Sequence, residues 1–375
     1  MSWSSIIGQE RVKALLKRTL QSGQVAHAYL FYGPEGIGKD ALAIEFAKTL
    51  NCTEGGVEAC GVCSNCQRMD SFQHPNIKLV FALPVGKNEK NGDDPINVLT
   101  EAQVAEVREQ IQAKAKDRYK RIEVTKANFI KINSVRDIKR EAAMSRIEDG
   151  KKIFIIFNAD MMNTEASNSL LKTLEEPLPG TILLLTTSAK DQLLPTIVSR
   201  CQLIKCDLLS DAEIETALVA RNGVDENIAR LAAQLANGSY SNAQRFNLQD
   251  MAEERKEVVE FMRLVLGKRK TALIDAIDEL ASSTDRPSIE RWLKLLQSWL
   301  RDALLIQQKA HAPLLEDEEQ SMENFVKNFQ QANLIAAIQS VEKAIAHLDK
   351  NVYLHLILTM LAIDLRKNIT EVPLA

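Results

Sequence analysis

Two groups of residues could do chemistry by their types and spacing. The first is Gly33-Pro34-Glu35-Gly36-Ile37-Gly38-Lys39-Asp40. Glycines so spaced leave backbone N–H groups free to wrap a phosphate at the start of a helix, with the lysine as counter-charge. The context suits this chemistry: an apolar run, 28–32, precedes the loop, and an amphipathic period with Leu42, Ile44, Phe46, Ala47 and Leu50 follows. The last position should offer a Ser or Thr hydroxyl to magnesium, and here it is Asp40. A carboxylate can bind magnesium, but it also sets a negative charge beside a triphosphate, which weakens nucleotide binding. The loop therefore either keeps some affinity for ATP or ADP through Lys39, with Gly33, Gly36, Gly38 and Asp40 around the phosphates, or is a structural relic.

The second group is Cys52, Cys60, Cys63 and Cys66, with spacers of seven, two and two residues. Four thiolates at this spacing can close a tetrahedral shell around zinc, and a shell with no water position is structural rather than catalytic. Free thiols and disulfides are the competing states, and a reducing cytosol disfavours the disulfides. Cys201 and Cys206 stand apart.

These groups need elements to hold them. From Trp3 to about Cys206, helical periods alternate with short apolar runs, as in a parallel sheet covered by helices, and the runs 28–32, 152–157 and 181–187 are expected to be buried strands. After Cys206 the pattern is helical throughout. Residues 211–246 read as two or three short helices broken at Gly223 and Gly238. Farther on, Ile289, Trp292, Leu293, Leu296, Trp299, Leu300, Ala303 and Leu304 give one wide apolar face. A first domain over 1–206, with a zinc module at about 50–68 and an insert at about 83–131, is thus expected to precede a helical lid, 207–249, and a helical domain, 250–375. The insert carries Pro, Gly and Asn over 83–94 and is expected to be mobile at its tip.

The sequence has 375 residues, 45% hydrophobic and 26% charged, and a net charge of -3. That balance removes any bulk electrostatic case for a dedicated nucleic-acid binder. A local one remains in the basic segment 114–121, which together with the cysteines would make a zinc-containing nucleic-acid binding module. The apolar segment 351–363 is shorter than a membrane span and is expected to be a buried helix. The start lacks a basic stretch followed by an apolar run, so the expected location is the cytoplasm, with no membrane association.

Four short segments, in order, carry a resemblance: Ile6-Ile7-Gly8-Gln9-Glu10, His27-Ala28-Tyr29-Leu30-Phe31, residues 168–177 ending Leu174-Glu175-Glu176-Pro177, and Ser199-Arg200-Cys201. Together they resemble the clamp-loader subunits of bacterial DNA polymerase III, over nearly all of 3–206. The resemblance implies an α/β phosphate-loop AAA+ core with an all-α lid and an all-α C-terminal collar. It also implies a pentameric ring with gamma/tau and delta subunits, which opens the sliding clamp and sets it on primed DNA. In the Ser199-Arg200-Cys201 motif it makes Arg200 a finger that reaches ATP bound to a neighbour, in trans. Active relatives carry acidic residues where this chain has Phe157 and Asn158, and an arginine where it has Ser241. Asp160, the nearest acid, is expected to cap the next helix. Loss of the chain's own ATP chemistry with retention of the finger resembles the delta-prime branch. The alternative is an active gamma/tau-like ATPase in which Asp40 and Asp160 have assumed the missing roles.

Overall fold

The computed structural model describes residues 2–86, 89–90, 92–144, 149–245, 251–283, 286–310, 319–350 and 352–370. The chain forms two compact units, one of residues 1–217 with 237–242, the other of 218–236 with 243–375.

In the first unit five parallel strands make one sheet: β1 (Ala28–Tyr32), β2 (Ile77–Val80), β3 (Lys152–Ile156), β4 (Thr181–Thr187) and β5 (Gln202–Lys205), in the order β2-β3-β4-β1-β5. The three strands expected from the sequence are the three central ones. Every residue of β4 is buried, and β1 and β3 are nearly so. Strands covered on both faces read as unbroken apolar runs, which is why they were visible. The two edge strands were not foreseen. They are only four residues long and interrupted by polar side chains, Lys78 in β2 and Gln202 and Lys205 in β5.

The helix Lys39–Leu50 follows the phosphate loop and is buried on almost all sides, including its polar residues Lys48, Thr49 and Glu45. Its end is tied to the start of β3 by Asn51, whose side chain donates to the Lys151 carbonyl at 3.0 Å and accepts from the Lys151 amide at 2.8 Å. The expected insert contains a helix, Glu101–Lys116, whose start is fixed by a capping box between Thr100 and Gln103. Positions 87, 88 and 91 of its expected mobile tip lie outside the described residues. Beside them, Glu89 is held by Lys131 at 2.7 Å and by Asn133 at 3.1 Å.

The second unit is helical among its described residues. Its core is built on the helix Arg286–Gln307, where Ile289, Trp292, Leu293, Leu296, Trp299, Leu300 and Ala303 are all buried. Trp292 meets Phe261 edge-on at 5.0 Å, and Trp299 meets Phe325 at 4.9 Å. Of the apolar stretch 351–363 expected to be a buried helix, residues 354–363 lie in the helix Leu354–Thr370, Val352 and Tyr353 precede it, and Asn351 is outside the described residues. One face is buried through Ile357, Leu358, Leu361 and Leu365. The other shows Leu356, Met360 and Ile363 to solvent, a stripe at helical spacing. Among the described residues no helix is long and apolar enough to cross a membrane.

Glu45 gives the core a pH dependence. Burial pushes its carboxyl up to about 7, against the pull of Lys48 and Arg118, and Oε1 has no hydrogen-bond partner among the described residues. The folded chain therefore holds a proton that the unfolded chain releases between about pH 4.5 and 7, so stability contributed by this residue falls as pH rises through that window. Glu45→Gln is expected to flatten the fall and to be more stable than the native chain at pH 8 by on the order of 2 kcal/mol. Urea unfolding at pH 5 and pH 8 checks this, and a variant less stable than the native chain at pH 8 would contradict it.

Candidate functional site

The phosphate loop leaves the C-terminal end of β1, where strands of an open α/β sheet present ligands. Its backbone has the conformation that glycine permits, with positive φ at Gly33, Gly36 and Gly38 of 147°, 75° and 97°. Lys39 is buried and turned back on the loop, donating to the carbonyls of Gly33 at 2.8 Å and of Pro34. Burial pushes its ammonium below the ordinary lysine value, while Asp40, Cys206, Glu35 and Asp160 oppose that shift.

Asp40 is held by a residue from the insert. The Lys114 ammonium, 1% exposed, donates to Asp40 Oδ2 at 2.7 Å, to the Lys120 carbonyl at 2.8 Å and to the Arg118 carbonyl at 3.3 Å. It also sits 4.7 Å from the centre of the Phe157 ring. Phe157 itself is buried at the end of β3, and Asn158 follows with φ 50°. Neither side chain can act as a base. Asp160 does not cap the next helix, contrary to expectation: it accepts the Thr187 hydroxyl, while Asn163 caps Thr164–Glu175 by accepting from the Ala166 amide at 2.8 Å.

The residues after Lys114 close over the loop. Tyr119 receives the Ile7 amide on its hydroxyl at 2.8 Å and meets Tyr240 edge-on at 4.9 Å. Ser241, which stands where an arginine was expected, donates its hydroxyl to the Tyr119 carbonyl at 3.0 Å and its amide to the Gly36 carbonyl at 3.3 Å. The segment 114–121 is thus not the open basic surface that the nucleic-acid alternative requires. Lys114 faces Asp40, Arg118 faces Asp70 at 2.9 Å, and Arg121 faces Glu35 at 3.3 Å.

The four cysteines do converge, with Sγ atoms all within 4.8 Å of one another. The amides of Cys60, Cys63 and Cys66 donate to the sulfurs of Cys52, Cys60 and Cys63 at 3.3, 3.3 and 3.4 Å, so the backbone favours thiolates there. Burial opposes ionisation of Cys63, but hydrogen bonds from Thr53 and Cys66 outweigh it and bring the thiol down to about 5. Such a donor set fits a metal ion. The module is fixed to the first unit by Asp70, at the end of the helix Ser64–Asp70, which binds both Lys48 at 2.8 Å and Arg118. By contrast Cys201 and Cys206 are single buried thiols, each pushed up to about 12 by burial.

Arg200 lies between the short helix Pro195–Val198 and β5. Ser199 closes the turn through its hydroxyl to the Thr196 carbonyl at 3.1 Å, and Cys201 anchors it in the core. Arg200 itself projects outward, about one third exposed, held by Glu175 at 2.8 Å and the Thr196 carbonyl at 3.0 Å. In the sheet Gln202 pairs with Tyr29, so Arg200 lies two residues before that level and Gly33 four residues beyond it. At about 3.3 Å per residue the arginine and the chain's own phosphate loop stand roughly 20 Å apart, at opposite ends of the sheet.

Reasoning from sequence missed Lys114, Tyr119 and Glu175. Asp40 was the available signal for the first, since a half-buried carboxylate at the start of a buried helix favours a cation beside it.

A five-stranded parallel sheet in this order, with a glycine loop after β1 and helices on its faces, makes the first unit an AAA+ type phosphate-loop domain. The sequence profile of the family described as "DNA polymerase III, delta subunit" matches residues 8–209, and the chain belongs to that family. A DNA polymerase III subunit delta' of Bacillus subtilis is 30% identical over 346 residues, 92% of each chain. One from Pseudomonas aeruginosa is 32% identical over 286 residues, 74% of this chain and 70% of its own. A subunit gamma/tau of Mycobacterium tuberculosis is 29% identical over 291 residues, 75% of this chain and 43% of its own.

Gly36 is the tightest point of the loop: a Cβ there would lie 2.1 Å from Ser239 Oγ on a backbone with positive φ. Gly36→Ala is expected to destabilise the chain by about 2 kcal/mol or more in urea unfolding. A loss below about 0.5 kcal/mol would show that the loop is not clasped as described.

Proposed function

We propose that this chain is a delta-prime-like subunit of the DNA polymerase III clamp loader. It acts in the cytoplasm, within a pentameric ring with gamma/tau and delta subunits, where it helps to load the sliding clamp onto primed DNA. Its own loop does not hydrolyse ATP, and Arg200 completes the ATP site of a neighbouring subunit. The observation that carries this is the placement of Arg200. A guanidinium about one third exposed, at the far end of the sheet from its own loop, cannot act there, yet it sits on a surface turn where a neighbour can meet it. A fixed guanidinium of this kind neutralises charge that develops on a transferring phosphoryl group.

The gamma/tau-like alternative needs Asp40 and Asp160 as catalytic groups. One is committed to Lys114 and the other to Thr187. The apolar stripe Leu356, Met360 and Ile363 supports a collar role for residues 250–375, the last of the three expected domains. The four thiols hold a structural zinc ion, because a closed all-sulfur tetrahedral set suits zinc and leaves no position for a reacting water.

Arg200→Ala is expected to leave ring assembly intact and to lower the clamp- and DNA-stimulated ATPase of the reconstituted complex, with roughly a 10³-fold loss at the one site served by the finger. Single-turnover hydrolysis in the assembled ring reads this, and a native rate at every site would overturn it. Zinc measured in chelator-free protein is expected at one equivalent per chain, falling on Cys60→Ser together with thermal stability. Less than about half an equivalent in the native chain would remove zinc from the account.

A further inference from the structure

An ammonium has three donors, and those of Lys114 are all used: Asp40 Oδ2, the Arg118 carbonyl and the Lys120 carbonyl. Asp40 stands where a phosphate loop places its magnesium-binding hydroxyl, and Phe157 stands at the strand end where a second acid would face the ion. Lys114 meets both, one by an ion pair and the other through its ring. The surrounding groups therefore do not fit magnesium. The carboxylate is already ion-paired, the other wall is aromatic, and a dication placed there would face a buried cation. The loop itself is otherwise preserved, with three glycines at positive φ and a lysine at the helix start.

We infer that Lys114 is a resident counter-cation that has taken magnesium's place, and that the Asp40–Lys114 pair is a lock on a still-formed nucleotide site. Each residue explains the other. Asp40 beside a triphosphate is repulsive, but Asp40 beside Lys114 is satisfied, and Lys114 could not be buried without it. The inference rests on the proposal that this chain does not hydrolyse ATP at its own loop, and goes beyond it in naming the two residues that keep a magnesium nucleotide out.

The test uses the full chain and a fluorescent ADP analogue, titrated with and without magnesium. Asp40→Thr with Lys114→Met, which restores the hydroxyl and removes the cation, is expected to bind the probe at least roughly tenfold more tightly than the native chain, and only with magnesium present. A folded double variant that binds no better than the native chain overturns the lock, and so does a native chain that already binds the probe in a magnesium-dependent way. Urea unfolding of the native chain, both single variants and the double variant supplies a readout independent of nucleotide. The single variants are expected to lower the midpoint by more, taken together, than the double variant does, because one leaves the buried Lys114 ammonium alone and the other the half-buried Asp40 carboxylate. Strictly additive losses would also overturn the lock. Failure of the underlying proposal looks different: it is ATP turnover by the native chain, which leaves the binding and unfolding comparisons to be read on their own.

Discussion

A lysine ammonium buried to 1% exposure must have its charge answered, and at the phosphate loop of this chain the answer comes from Asp40 and two carbonyls. Much of the surrounding geometry follows from that contact. To bring Lys114 to Asp40, the helix Glu101–Lys116 must end over the loop, and the chain after it turns back so that Tyr119 lies against Gly38 and carries Ser241 on its carbonyl. Arg118, on the same turn, reaches Asp70 and so links the cysteine module to the same closure. One ion pair thus joins the insert, the loop and the metal-ligand set into a single packed region. Buried pairs of this sort are weak evidence of stability but strong constraints on which conformation is allowed.

The parallel sheet sets the other constraint, which is distance. Because β5 lies beside β1 in parallel, the start of β5 and the end of β1 are at opposite ends of the sheet. Whatever follows β1 is separated from whatever precedes β5 by the length of the strands. The phosphate loop occupies the first position and Arg200 the second. The proposed role of Arg200, acting on an ATP bound by another subunit, rests on this spacing, and Glu175 holds the side chain by an ion pair at 2.8 Å.

The central strands were legible because their burial on both faces leaves uninterrupted apolar runs, and the phosphate loop because glycine spacing before a helix has few other uses. The cysteine set was legible from spacing alone. What escaped was long-range. Lys114 is 74 residues from Asp40, and nothing in a row of basic residues at 114–121 says that three of them turn inward. Local charge reads as a solvated face unless the distant acids that it meets are known. The edge strands Ile77–Val80 and Gln202–Lys205 escaped for a related reason, since an edge needs little apolar length and tolerates lysine. The expected role of Asp160 failed because a cap depends on where the next helix begins, and here that is three residues later, at Asn163.

The central claim is the inferred one, that the Lys114 ammonium stands beside Asp40 where a magnesium ion would. The direct measurement is a crystal structure of the chain grown with an excess of ATP and manganese, recorded at the manganese absorption edge. The account predicts no anomalous peak beside Asp40, with the Lys114 ammonium still bound to its carboxylate and to the carbonyls of Arg118 and Lys120. A manganese ion coordinated by Asp40, with Lys114 displaced and phosphate density over Gly36 and Gly38, would contradict it.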